Sequence, residues 1–128
     1  MADMNSGGDN PPDSGTLVRL ADFRKDRQEL PVTFSRRELD QILRLYGFMV
    51  GAGEWRDYAI DHLRDQAVFS AYRRSNEVPM FQIIKSPKLA RKQGEYSVVN
   101  TAGMVLKRGH DLDRVLRVFD KTLGVVRA

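Results

Sequence analysis

The clearest pattern of apolar positions predicts a helix over residues 36–50. Ser35 precedes this stretch and Glu38 follows three residues later, which is the spacing of a capping box. Gly51 and Gly53 are expected to end the helix. Apolar residues recur at intervals of three and four and so define one face of the helix: Leu39, Ile42, Leu43, Tyr46, Met49 and Val50.

The middle of the chain alternates short β-rich runs with turn-forming residues, which is typical of antiparallel strands joined by short turns. Residues 54–63 also fit a helical stripe, but we favour a strand over 57–63 because a hairpin partner follows. Further strands are predicted over 67–73, 80–85, 96–100 and 104–107. Ser86 is expected to cap a short helical turn that starts at Pro87 and stops at Gly94.

A last helix is predicted after Asp111, which is the expected N-cap, and Gly124 is expected to end it. The simplest arrangement packs both amphipathic helices on one face of a single sheet. We therefore predict an α+β fold: a single antiparallel sheet of about five strands, flanked by an N-terminal and a C-terminal amphipathic helix. The apolar face of the last helix is predicted to contain Leu112, Val115, Leu116, Phe119 and Leu123.

The beginning of the chain differs in composition from the rest. Residues 1–16 are rich in Gly, Pro, Asp, Ser and Asn, and such a segment buries too little apolar surface to offset its chain entropy. We predict a disordered or loosely docked N-terminal tail over 1–33 and a single globular domain over 34–126. An apolar cluster inside the tail is either a strand or clamp on its own domain or a docking peptide for another protein: Leu17, Val18, Leu20 and Phe23.

Composition excludes several classes of protein. The 128 residues contain no cysteine, which excludes disulfides, thiolate zinc sites and cysteine nucleophiles, and which is compatible with a reducing cytoplasm. No stretch approaches the roughly 20 apolar residues of a membrane span. The N-terminus is acidic and polar, unlike a secretory signal. We therefore predict a cytoplasmic protein that does not associate with membranes; its oligomeric state is not predicted.

The net charge of +4 is unevenly distributed, because the acidic residues are concentrated towards the N-terminus. The rest of the chain is therefore basic, and a basic surface patch on it would suit an anionic partner such as nucleic acid. Lys and Arg also simply solvate a surface, however. If the hairpins bring the strand ends together, Tyr72, Phe81 and Tyr96 would lie near the patch and stack on bases. The candidate nucleic-acid or anion-binding residues are Arg73, Arg74, Lys85, Lys88, Arg91, Lys92, Lys107 and Arg108.

Signals of catalysis and metal binding are weak. His62 and His110 have no neighbours at metal-ligand spacing, and His110 next to Asp111 is better explained by a helix cap. Asp57 and Asp61 share a face of a strand, where such pairs are usually solvated or neutralised by arginine. We predict no catalytic residue, no metal and no cofactor, and we do not favour an enzyme.

Short strings of residues, over 53–61, 67–70, 87–94 with 96–99, and 106–110, carry a resemblance to a known family. In this order they resemble an uncharacterised domain-of-unknown-function family of short alphaproteobacterial proteins, over about residues 34–124. The resemblance implies an alphaproteobacterial source, and it implies no activity. We predict a non-enzymatic protein-interaction module. The alternative is a nucleic-acid-binding protein that uses the basic residues between Arg73 and Arg108.

Overall fold

The fold begins with a helix that is capped as its sequence predicts. The computed structural model describes residues 30–74 and 78–124. Helix α1 spans Arg36–Gly51. The Ser35 hydroxyl accepts a hydrogen bond from the Glu38 N–H at 3.1 Å, and the Glu38 carboxylate accepts one from the Ser35 N–H at 2.7 Å. This reciprocal pair satisfies two backbone donors that a helix start otherwise leaves open, and it confirms the predicted capping box.

One antiparallel sheet occupies the middle of the described chain. Its strands are β1 (Asp57–His62), β2 (Ala67–Tyr72), β3 (Phe81–Lys85), β4 (Tyr96–Asn100) and β5 (Val105–Gly109). The strands lie in chain order, and each is antiparallel to the one before it. The segment after Trp55, which also fits a helical stripe, is therefore a strand. The predicted α+β class with a single five-stranded antiparallel sheet is confirmed for the residues described.

The C-terminal helix is less regular than predicted. It consists of α2 (Leu112–Leu116), a 3₁₀ turn (Arg117–Phe119) and α3 (Asp120–Leu123), with Gly124 in the left-handed conformation at its end. The Asp111 carboxylate caps α2 by accepting from the Asp113 N–H at 3.0 Å. We refer to residues 112–123 as the C-terminal helical segment.

The hydrophobic core lies between one face of the sheet and the two helical regions. Phe69, Ile83 and Val98 from the three central strands are almost fully buried in it. Trp55 is also fully buried, and its ring meets that of Phe119 edge-on at 5.2 Å. From the helices the core receives Ile42, Leu45, Met49, Leu112, Val115, Leu116 and Phe119.

The apolar face of α1 differs from the predicted one by part of a turn. Leu45 is buried, whereas Leu43 and Val50 are 37% and 42% exposed. Leu43 and Val50 each follow a buried residue by one position, and one residue rotates a helix by about 100°. Both side chains therefore point away from the core, and the buried stripe is Leu39, Ile42, Leu45, Tyr46 and Met49.

The loop between β3 and β4 contains a shorter helical turn than predicted. Its 3₁₀ turn covers only Pro87–Leu89, and Ser86 makes no capping bond. The Ser86 hydroxyl instead donates to the Gln66 side-chain oxygen at 3.4 Å. Gly94 closes the loop at a φ of +98°, and a Cβ there would lie 2.6 Å from the Gly109 Cα. Only glycine fits this close approach of two backbones.

Candidate functional site

The register of the sheet divides most of the eight candidate anion-binding residues between its two ends. Arg73 and Arg74 follow the last residue of β2, whereas Lys85 pairs with Ala67, the first residue of β2. A strand rises by about 3.3 Å per residue, so about 20 Å separate these two groups. The eight residues therefore do not share one end of the sheet. Towards the Lys85 end lie Lys88, Arg91, Lys92 and Arg108, whereas Lys107 pairs with Val98 in the middle of β4.

Lys85 belongs to an internal network of charges and hydrogen bonds. Its ammonium group lies 2.8 Å from a Glu38 carboxylate oxygen and donates to the Thr33 carbonyl at 3.0 Å. The Tyr96 hydroxyl donates to the second oxygen of Glu38. Only 16% of the Lys85 side chain and 12% of the Glu38 side chain are exposed. We call Glu38, Lys85 and Tyr96 the closed network, because its members satisfy one another within the chain.

The pKa values agree with this arrangement. Burial acts to raise the pKa of Glu38, but hydrogen bonds from Lys85, Tyr96 and the Ser35 N–H outweigh it, so that the pKa lies below its ordinary value of 4.5. Burial and the Glu38 carboxylate together raise the pKa of Tyr96. At neutral pH Glu38 is therefore a carboxylate and Tyr96 a neutral phenol, and the charge of Lys85 is balanced by that of Glu38 within the chain.

Three of the remaining residues at this end are on the surface, and Arg108 is half-buried. Lys88 forms an exposed ion pair with Asp65 at 2.9 Å, and its hydrogen bond and charge lower the pKa of Asp65. Arg91 and Lys92 are exposed in the loop after the 3₁₀ turn. The aromatic residues expected near the patch do not flank them. Phe81 packs against Trp55 and Phe119, Tyr96 belongs to the closed network and Tyr72 is half-buried.

The opposite end of the sheet carries a cavity surrounded by arginines. A turn with Gly53 at a φ of +76° leads from α1 into Trp55 and Arg56. The Arg56 N–H donates to the Tyr72 carbonyl at 2.8 Å, which places Arg56 beside Arg73, the next residue after Tyr72. The resulting cavity has a volume of about 560 Å³, and we call it the arginine cavity. Its lining consists of Val50, Gly53, Trp55, Arg56, Arg73 and Arg74.

Two acidic residues accompany the three arginines. Glu54 lies 3.5 Å from the Arg73 guanidinium, in an ion pair that is largely open to solvent. Asp57 lines a second cavity of about 310 Å³ together with the same three arginines. The Asp57 carboxylate also accepts the N–H of Tyr58 at 2.8 Å. Three guanidinium groups thus face two carboxylates, and one positive charge is left over.

Trp55 adds a buried donor to the lining of the arginine cavity. The side chain is fully buried, and its indole N–H has no hydrogen-bond acceptor among the residues that the structure describes. A buried donor without an acceptor costs about 1–3 kcal/mol and is uncommon in native proteins. The indole can only donate, so the acceptor it lacks must carry a lone pair.

A groove runs between α1 and the C-terminal helical segment. Its volume is about 620 Å³, and we call it the helix groove. Phe48 lines it and is 59% exposed. The other apolar residues of the lining are Leu45, Ala52, Leu116 and Leu123. The polar residues of the lining are Arg37, Asp40, Gln41, Arg44, Asp113 and Asp120.

Some of the sequence predictions concern neither the arginine cavity nor the helix groove. The tail residues Leu17, Val18, Leu20 and Phe23 lie outside the described residues. Within the described parts of the chain, no three His, Asp or Glu side chains come close enough to hold a metal ion. None of the helices described there is long and apolar enough to cross a membrane.

Arg56 and Phe48 line these openings but are not among the residues predicted from the sequence. For Arg56 the signal was present, because a hairpin that pairs residues 57–63 with 67–73 also brings residue 56 next to residue 73. Phe48 was missed because the predicted apolar face of α1 did not include it. Its position between Leu45 and Met49 places it at the edge of the buried stripe.

Together these features define a class: a small α+β protein built on a five-stranded antiparallel sheet, with the arginine cavity and the helix groove on its described part. The chain belongs to the family described as "Protein of unknown function (DUF2794)", whose model matches residues 32–116. The match covers α1, the whole sheet and α2, and it confirms the resemblance to a domain-of-unknown-function family. Neither a curated protein nor a solved structure matches the chain.

Proposed function

We propose that this protein is a cytoplasmic, non-enzymatic protein-interaction module that binds an amphipathic helix of a partner protein in the helix groove. The observation that carries the proposal is Phe48, a large apolar side chain that is 59% exposed beside an apolar floor. Exposed apolar surface rimmed by polar residues is typical of interaction sites. Cytoplasmic residence is supported by the cysteine-free sequence.

The dimensions of the groove suit a helix better than an extended peptide. Two helical walls, α1 and the C-terminal helical segment, flank an apolar floor that includes Leu45 and Leu116. A third helix packs into such a groove through apolar residues spaced three and four apart. An extended peptide instead gains its affinity by adding to the edge of a sheet, and neither wall of this groove is a strand.

The charges of the groove specify the partner further. Arg37 and Arg44 are exposed on the α1 wall, both on the N-terminal side of Phe48, and outnumber Asp40 there, whereas Asp113 lies on the opposite wall. A partner helix is therefore expected to carry carboxylates along the side that faces α1. Complementary charges of this kind set orientation and association rate more than affinity.

Site-specific photo-crosslinking tests the proposal. A photoreactive amino acid replaces Phe48 in one variant and Val105, which is exposed on β5, in a control variant. Irradiation in native cells is expected to link position 48, and not position 105, to one peptide that has an amphipathic helical pattern. Reversing the charges of Arg37 and Arg44 to glutamate is expected to remove that product.

Other products of the same experiment would contradict the proposal. A link from position 48 to Val125 or Val126 of the same chain would mean that the chain fills its own groove. A link to a second copy would make the groove a self-association surface. Identical products from positions 48 and 105 would show only non-specific contact.

Nucleic-acid binding is the second candidate, and the exposure of Arg91 and Lys92 beside Lys88 favours it. Contacts between basic side chains and the phosphates of a nucleic acid give sequence-independent and salt-dependent binding. If this candidate holds, replacing Arg91 and Lys92 with alanine weakens binding to a single-stranded oligonucleotide and reduces its salt dependence. Replacing Lys85 is not a useful probe, because Lys85 holds the closed network together.

A further inference from the structure

The arginine cavity brings three exposed arginines together with fewer acidic partners. Glu54 reaches Arg73, and Asp57 is partly used by the Tyr58 N–H. Arg56 and Arg74 form no ion pair within the described part of the chain. Guanidinium groups that converge without matching carboxylates are suited to an oxyanion, because the guanidinium fork matches the oxygens of phosphate or carboxylate.

Trp55 supplies an independent observation at the same place. Its indole N–H is buried and lacks an acceptor among the described residues, and the residue itself belongs to the lining of the arginine cavity. In a site that is complete without a ligand, such a donor would be paired. A ligand oxygen would satisfy it and at the same time neutralise the arginines.

We propose that the arginine cavity binds the phosphate group of a small phosphoester. Arg56, Arg73 and Arg74 contact the phosphate oxygens, and the organic part of the ligand lies along Val50 and Gly53. The volume of about 560 Å³ is within the range of small-molecule sites. Phosphate is favoured over a single carboxylate, because three guanidinium groups outnumber the two oxygens that a carboxylate offers. This site shares no arginine with the helix groove and does not depend on the proposed function.

The fluorescence of Trp55 provides the readout, because it is the only tryptophan of the chain. The full-length protein is titrated with inorganic phosphate and with phenyl phosphate, and sodium chloride of equal ionic strength serves as the control. A saturable change is expected with both phosphates and no saturation with chloride. Phenyl phosphate is expected to bind more tightly than inorganic phosphate, because its ring adds apolar contact.

Matched arginine variants locate the binding. Arg56→Gln and Arg74→Gln each remove one charge from the cavity, and Arg91→Gln removes one charge from the exposed loop after β3. The cavity variants are expected to weaken phosphate binding by about tenfold each, and the loop variant by less than about twofold. Equal losses of affinity in all three variants would show that phosphate binds through diffuse surface charge, and would overturn the proposal.

A second readout does not depend on fluorescence intensity. The single indole N–H signal of the NMR spectrum is expected to shift in proportion to occupancy when phenyl phosphate is added. A signal that stays unchanged at saturation would show that Trp55 does not donate to the ligand. A single-stranded oligonucleotide that binds through Arg56 and Arg74, while both phosphates fail to bind, would also overturn the proposal in favour of a nucleic-acid interface.

Discussion

The two ends of the sheet carry charge in opposite ways. At one end the closed network pairs Lys85 with Glu38, adds the Tyr96 hydroxyl and hides both charges from solvent. At the other end Arg56, Arg73 and Arg74 surround an open cavity with too few carboxylates. A buried charge is tolerated only when it is paired and hydrogen-bonded, whereas an exposed charge needs no partner within the chain. The difference separates cations that hold the fold from cations that are available to a ligand.

Removing Glu38 is expected to have the largest effect on stability. Glu38→Ala deletes half of the capping box and leaves the Lys85 ammonium mostly buried without its carboxylate. We expect the free energy of unfolding to fall by about 3 kcal/mol, measured by urea denaturation. Asp40→Ala is the matched control, because Asp40 is an exposed acid on the same helix, and we expect less than about 0.5 kcal/mol. Equal losses in both variants would show that the network stabilises nothing.

Acid is expected to weaken the closed network selectively. The pKa of Glu38 is lower in the folded protein than its ordinary value of 4.5, so the folded state favours the carboxylate. Its contribution is therefore complete above that ordinary value and is lost as the pH falls through the lowered folded value. Urea unfolding of the wild type and of Glu38→Gln across this acidic window is the measurement. The two curves of stability against pH should converge towards low pH, and parallel curves would contradict the assignment.

Changes in the arginine cavity are expected to have the smallest effect on stability. Arg56→Gln removes an exposed charge that has two arginine neighbours, so we expect a change within about 0.5 kcal/mol and no loss of cooperativity. Lys88→Gln, which breaks the exposed pair with Asp65, should behave alike. A loss above about 2 kcal/mol in Arg56→Gln would place Arg56 with the structural cations and erase the contrast between the two ends.

The sequence predicts the elements of this fold well, because their signals are local. The capping box of Ser35 and Glu38, the helical periodicity of α1 and the short strand runs all depend on residues within a few positions of one another. The closed network is different: Lys85 and Tyr96 lie 47 and 58 positions from Glu38 in the chain. No periodicity relates residues that far apart, and only the register of the sheet and the position of α1 bring them together.

The same reason explains why the arginine cavity could not be predicted from the sequence. A run of basic residues in the sequence predicts one patch. The two ends of an antiparallel strand of five or six residues, however, lie about 20 Å apart. Arg73 and Lys85 are therefore separated although they lie close in sequence. Arg56 and Arg73 are more distant in sequence than Arg73 and Arg74, yet the backbone bond from Arg56 to Tyr72 brings them side by side.

The strand order has a consequence for how quickly the protein folds. Each strand pairs with the strand that precedes it in the chain, and the longest connection between two paired strands covers only residues 86–95. Every ladder therefore closes a short loop, whose entropic cost is small. Sheets with non-local pairings fold slowly because distant segments must meet first, whereas this topology has low contact order for a sheet. We expect refolding faster than that of all-β sandwiches of similar size.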